Sequence, residues 1–103
     1  MSGGGAAGFE LDRVDPSLGT PKNAVVLASS ETYPDHFVLV PEEMLTHLAT
    51  RTGDPVSKLI RSDIVLFETG QGGRVFSVGS ISYCGSLPWN KFDNNISLSL
   101  IHI

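Results

Sequence analysis

Three side chains that could serve as nucleophiles fall close together in Ser80-Ile81-Ser82-Tyr83-Cys84. A hydroxyl or thiol attacks well only with a base beside it, and the three histidines, His36, His47 and His102, lie nowhere near this segment in sequence. The Cys-His-Glu set of glutaminase chemistry is therefore not supported. The same histidines have no paired spacing such as His-x-x-x-His, so no compact metal site is written into the chain. Tyr33 and Tyr83 read as structural residues, and Cys84 as a small buried hydrophobe. The remaining candidate is Glu10, in Gly8-Phe9-Glu10-Leu11-Asp12, an acid set after glycines that can bring backbone close to a pocket. It reads either as a solvated surface acid or as a base. Asp12 and Arg13 next to it could pair and hold that loop.

These residues need elements to position them. The opening, residues 1–8, is rich in Gly and Ala and reads as a flexible loop; residues 9–22 carry acids, two prolines and Gly19, and suit an irregular crossing loop. Ala24-Val25-Val26-Leu27-Ala28 is a short apolar run of the kind buried on both faces of a sheet. It ends in Ser29-Ser30-Glu31, the place where open α/β sheets put ligand-binding groups, with a solvated loop as the alternative. A second apolar run covers residues 37–40, and Pro41-Glu42-Glu43 starts a predicted helix over 41–50, with Met44, Leu45 and Leu48 on one face. A brief segment follows at 56–61. Ile64-Val65-Leu66-Phe67-Glu68 and Arg74-Val75-Phe76-Ser77-Val78, joined through Gly70-Gln71-Gly72-Gly73, predict an antiparallel hairpin. The hydroxyl-rich stretch over 79–87 is too polar for core and too uncharged for open surface. Asp93-Asn94-Asn95 supplies helix N-cap chemistry.

The totals narrow the function. A chain of 103 residues allows one small core, and 41% hydrophobic with 17% charged residues is ordinary for a folded protein. The net charge of −4 and seven scattered basic residues argue against nucleic acid as a partner. No apolar stretch approaches the ~20 residues of a membrane span. A lone cysteine and the lack of a signal-like start point to the cytoplasm.

From Asp63 onward, the order of apolar strand, Gly-Gly turn, Val75-Phe76-Ser77-Val78-Gly79-Ser80-Ile81, Cys84-Gly85-Ser86-Leu87 and Asp93-Asn94-Asn95-Ile96-Ser97 resembles the C-terminal domain of the N,N-dimethylformamidase large (beta) subunit and its relatives. Gly8 to Arg13 and the strand over 25–30 fit as well, so the resemblance covers residues 8–97. It implies an α/β fold, here a fragment of a glutamine-amidotransferase-like (flavodoxin-like) sheet ending in an antiparallel hairpin. It also implies hydrolysis of simple amides to an amine and a carboxylic acid. The iron of such enzymes, held by tyrosine and glutamate, would belong to the full-length parent and not to this fragment. The implied partners are the upstream domains of the parent, a small subunit and a small-molecule amide. Glu10 is the residue carried over, as the base. The alternative is a non-catalytic ligand-binding or structural domain with the same fold.

The last six residues, Leu98-Ser99-Leu100-Ile101-His102-Ile103, match the translation of a transposase adapter used in sequencing libraries. The expectation is thus a truncated domain over 1–97, followed by a foreign tail over 98–103 that is indifferent to helix, and a piece of a larger soluble protein that is not active alone. A free-standing small protein would require Met1 to be a true start, against which the glycine-rich opening speaks.

Overall fold

The computed structural model describes residues 5–31, Tyr33 and 59–101. The apolar run at 37–40, the helix predicted over 41–50, the first half of the segment at 56–61, and His36, His47 and His102 lie outside the described residues. What is described is a mixed α/β arrangement built on a three-stranded sheet in the order β1 (Val25–Ser30), β2 (Ser62–Glu68), β3 (Arg74–Ser77). Both pairings are antiparallel.

The β2–β3 hairpin stands where the two β-rich runs and their glycines place it. Phe67 faces Val75 and Leu66 faces Phe76 across the pair. The turn closes by the Thr69 amide donating to the Gly73 carbonyl at 2.7 Å and the Gly72 amide to the Thr69 carbonyl at 3.1 Å. Gly72 has φ +82, a left-handed backbone that a Cβ would strain.

β1 departs from expectation. It begins one residue later and runs to Ser30, and it is not buried on both faces: Val25, Val26 and Leu27 are 56, 46 and 42% exposed. An apolar run of this length is compatible with a covered or an uncovered strand, and among the described strands β1 stands at the end of the sheet, with only β2 beside it. Its register slips between Val26, opposite Val65, and Ala28, opposite Ile64. Leu27 is therefore the extra residue of a bulge, which bends the strand just before its last three residues.

Downstream of β3 lie two short helices, α1 (Ser82–Ser86) and α2 (Asn95–Ile101), joined through Trp89–Phe92, where Asn90, Lys91 and Phe92 have a left-handed backbone. Helix α1 is unexpected in a Ser-Tyr-Cys-Gly-Ser stretch. Packing accounts for it: Tyr83 and Ser86, three residues apart, share the inward face and are 4% exposed each, and the Tyr83 ring meets Phe76 of β3 edge-on at 6.3 Å and 76°. Cys84 occupies the outward face and is exposed, so it is not the buried hydrophobe the sequence suggested.

Helix α2 starts where the cap signal puts it. The buried Asn94 Oδ1 accepts from the Ile96 and Ser97 amides at 3.1 and 3.0 Å, while its Nδ2 donates to the Leu87 and Trp89 carbonyls at 3.0 and 2.7 Å. The helix continues through Leu98 to Ile101, residues expected to be indifferent to helix, and Leu98, Leu100 and Ile101 stay exposed. Asn94→Ala removes a cap worth about 1 kcal/mol and leaves the Trp89 carbonyl without its donor, while the Leu87 carbonyl keeps the Ser97 hydroxyl, so an expected loss of roughly 2 kcal/mol should appear as a lower urea midpoint. Asn94→Asp keeps the acceptor and should lose less.

More polar side chains than apolar ones are buried among the described residues. Among the described residues, Ala6, Val65 and Tyr83 are the buried apolar side chains, beside Ser62, Asp63, Ser80, Ser86 and Asn94. No buried side-chain nitrogen or oxygen among them is left without a partner, which is the condition under which polar groups can be buried cheaply.

Candidate functional site

Two places on this scaffold carry chemistry: the segment around Glu10 and a hollow at the end of β1. The first is built by an N-terminal strap, residues 8–14, laid across β2 and the start of α1. The Ser80 hydroxyl donates to the Phe9 carbonyl at 2.7 Å and accepts from the Gly8 amide at 3.4 Å, and the Ile81 amide also donates to the Phe9 carbonyl at 3.3 Å. The Phe9 amide donates to the Ser82 hydroxyl at 3.2 Å. Beyond Glu10, the Asp12 amide donates to the Gly79 carbonyl at 2.8 Å, and the Asp12 carbonyl accepts from the Asp63 amide at 2.9 Å. The strap is thus fixed on both sides of Glu10, and the serines once considered as nucleophiles are its clamps. In the described part of the opening, Ala6 is buried.

Glu10 itself has φ +52 and is exposed. A left-handed backbone costs an ordinary L-residue about 1–2 kcal/mol, and glycine or asparagine is the usual occupant. The carboxylate recovers none of this, since it makes no hydrogen bond or ion pair among the described residues. Asn90, Lys91 and Phe92 are the other non-glycine residues with a left-handed backbone among those described.

Next to the strap is a buried carboxylate that joins three segments. Asp63, 2% exposed, accepts from the Val14 amide at 2.8 Å, the Arg61 guanidinium at 3.0 Å and the Ser29 hydroxyl at 2.6 Å. It joins strap, β1 and β2. The expected pair of Asp12 with Arg13 does not form: Arg13 pairs with Asp15 at 2.9 Å. In an extended segment neighbouring side chains point to opposite sides, and the residue two along is the one within reach. The Ser17 hydroxyl and then Arg13 hold the Asp15 carboxyl below the ordinary carboxylate value, and Asp15 caps the 3-10 turn Pro16–Leu18.

The hollow has a volume of about 160 Å3 and is lined by Ala6, Ala7, Ala28, Ser29, Ser30, Ser62, Ile64, Val78 and Ile96. Ser29 and Ser30, singled out at the carboxyl end of β1, do line a ligand-sized space, although Glu31 does not. Neither Glu10 nor the clamp serines are part of its wall.

The described residues do not fit the iron that the resemblance implies. No three of His, Cys, Asp and Glu come together among them. Burial, then the neighbouring Cys84, pushes the Tyr83 phenol above its usual value and so disfavours the phenolate a metal would need. The Tyr33 hydroxyl donates to Ser30 at 2.8 Å. No helix among the described residues is long and apolar enough to cross a membrane.

The sequence matches the family described as N,N-dimethylformamidase beta subunit-like, C-terminal, over residues 1–95. It is 46% identical over 98 residues to the N,N-dimethylformamidase beta subunit of Paracoccus aminophilus, and 44% identical over 98 residues to that of an Alcaligenes species. Each match covers 94% of this chain and 13% of the relative, so the chain spans about an eighth of the length of these proteins.

Proposed function

The chain belongs to the N,N-dimethylformamidase beta subunit-like, C-terminal family, and on that premise we propose that it is one wall of an amide hydrolase whose remaining parts lie elsewhere in a longer parent. The reaction is hydrolysis of a small linear amide to an amine and a carboxylic acid. Glu10 is its base: the carboxylate takes a proton from water as the water oxygen attacks the amide carbon, and the same proton can then leave with the amine. A larger sheet of the glutamine-amidotransferase-like kind, continued by upstream domains, would complete the fold, and a small subunit and any iron ligands come from outside the described residues. By itself the chain does not turn over.

The observation that supports this most is the clamped, strained and unengaged Glu10. Asn90, Lys91 and Phe92 share the left-handed backbone, but Glu10 alone of the four is a carboxylate, and it is held between the Phe9 and Asp12 hydrogen bonds. The test is a chimera in which this chain replaces the matching segment of the Paracoccus aminophilus beta subunit. It should hydrolyse N,N-dimethylformamide, and Glu10→Gln within it should lower kcat by roughly 10²- to 10⁴-fold, the usual worth of a positioned acid or base. Glu10→Gly in the isolated chain should raise its stability by about 1 kcal/mol. A Glu10→Gln chimera of undiminished kcat would remove the base assignment, and hydrolysis by the isolated chain would overturn the partial-site reading.

A further inference from the structure

The hollow at the end of β1 has chemistry of its own, independent of Glu10. Its volume of about 160 Å3 is close to that of an engineered apolar cavity of ~150 Å3 that takes up benzene, so it suits a molecule of about six heavy atoms. Ala6, Ala28, Ile64, Val78 and Ile96 give it apolar walls, and the small side chains of the two alanines are what leave the space open. Among the described residues no ionisable side chain lines it, which makes a charged guest costly.

Its three hydroxyls are not equivalent. Ser29 donates to Asp63 at 2.6 Å and Ser62 donates to the Gly79 carbonyl at 2.8 Å, so both protons are committed. Ser30 accepts from Tyr33 at 2.8 Å, and its own proton has no acceptor among the described residues. The bulge at Leu27 sits just before these residues, where a bulge commonly re-aims side chains toward a site. We infer that the hollow is a binding site for a small neutral molecule with apolar bulk and one hydrogen-bond acceptor, a carbonyl or hydroxyl oxygen, which receives the Ser30 proton.

The test titrates the 103-residue chain, 15N-labelled, with cyclopentanone, cyclopentane and isobutyrate, following amide shifts by NMR. Cyclopentanone should bind saturably with a dissociation constant of roughly 1 mM, reasonable for six heavy atoms, and should move the amides of Ala6, Ser30, Ile64 and Val78. Isobutyrate, of the same size but charged, should move none of them. Ser30→Ala should weaken cyclopentanone by roughly fivefold, the worth of one neutral hydrogen bond, and leave cyclopentane unchanged. Ala28→Phe or, in a second variant, Ala6→Leu should abolish both by filling the space. Silence of the hollow amides toward cyclopentanone, equal binding of isobutyrate, or indifference to Ser30→Ala would each overturn the assignment. Because Glu10 does not line the hollow, failure here leaves the hydrolase reading standing, and the converse.

Discussion

Asp63→Ala is expected to lower the stability of the chain by roughly 2–5 kcal/mol. The carboxylate is 1% exposed as a side chain and ties together the Val14 amide, the Ser29 hydroxyl and the Arg61 guanidinium. Deleting it leaves the Val14 amide without its acceptor and the Ser29 hydroxyl with only Glu31, 3.5 Å away, whereas Arg61, one-third exposed, keeps water and the Val14 carbonyl. A domain of this size has ~5–15 kcal/mol in total, so the loss is a large share of it. A markedly lower melting temperature would show the effect. Two controls separate the contributions. Arg61→Ala should also be costly, because the buried carboxylate loses its counter-charge and keeps only the Val14 and Ser29 donors. Asp63→Asn retains an acceptor without the charge and should lose less than Asp63→Ala. A melting temperature for Asp63→Ala within a degree or two of the parent would show that the junction contributes nothing.

The second large effect is at the same junction. Gly79→Ala would place its Cβ 2.5 Å from the Asp63 carbonyl oxygen, 2.7 Å from the Ser62 hydroxyl and 3.0 Å from the Asp63 amide nitrogen, at φ +70. Two of those three atoms are backbone of β2 and cannot swing away. The left-handed conformation costs about 1–2 kcal/mol and the overpacking about 1–3 kcal/mol more. The change would also displace the Gly79 carbonyl, which accepts from both the Asp12 amide and the Ser62 hydroxyl. An expected loss of roughly 3–4 kcal/mol should be measurable by guanidinium denaturation. Gly85→Ala is the comparison: nothing lies within 4 Å of the added carbon, and in α1 alanine is favoured by about 1 kcal/mol, so that variant should be as stable as the parent or more so.

These two positions show where sequence reasoning stops. The hairpin and the Asn94 cap were legible because their signals are local: glycines between two β-rich runs, and an amide side chain one residue before a helix. Asp63 was not. An acid beside an arginine at the head of a strand looks solvated, and its burial comes from Val14 and Ser29, which are 49 and 34 residues away. The exposure of β1 was missed for the complementary reason, since apolar composition records what a face could bury and not whether anything covers it. Helix α1 forms against its local propensity because Tyr83 packs on Phe76. Glu10 was picked out by its glycines and by resemblance, while its left-handed backbone depends on Ser80 and Ile81, some 70 residues further on. The Ser29-Ser30 pair was recognised by its place after a strand, but nothing in sequence could show that Ser29 is tied to Asp63, 34 residues away, while Ser30 has no acceptor among the described residues.

The strap also sets an order of events. The β2–β3 hairpin closes over a turn of only a few residues, whereas β1 meets β2 across a long intervening stretch, and the Ser80 clamp on Phe9 joins residues 71 apart in the chain. Closing a longer loop adds only slowly to the entropic cost, but distant contacts are rewarded only after nearer ones exist, and folding slows accordingly. The hairpin is therefore the natural nucleus and the strap the last piece to arrive. Glu10 acquires its backbone geometry only once the sheet and the head of α1 stand, so the acid's conformation reports that assembly is finished.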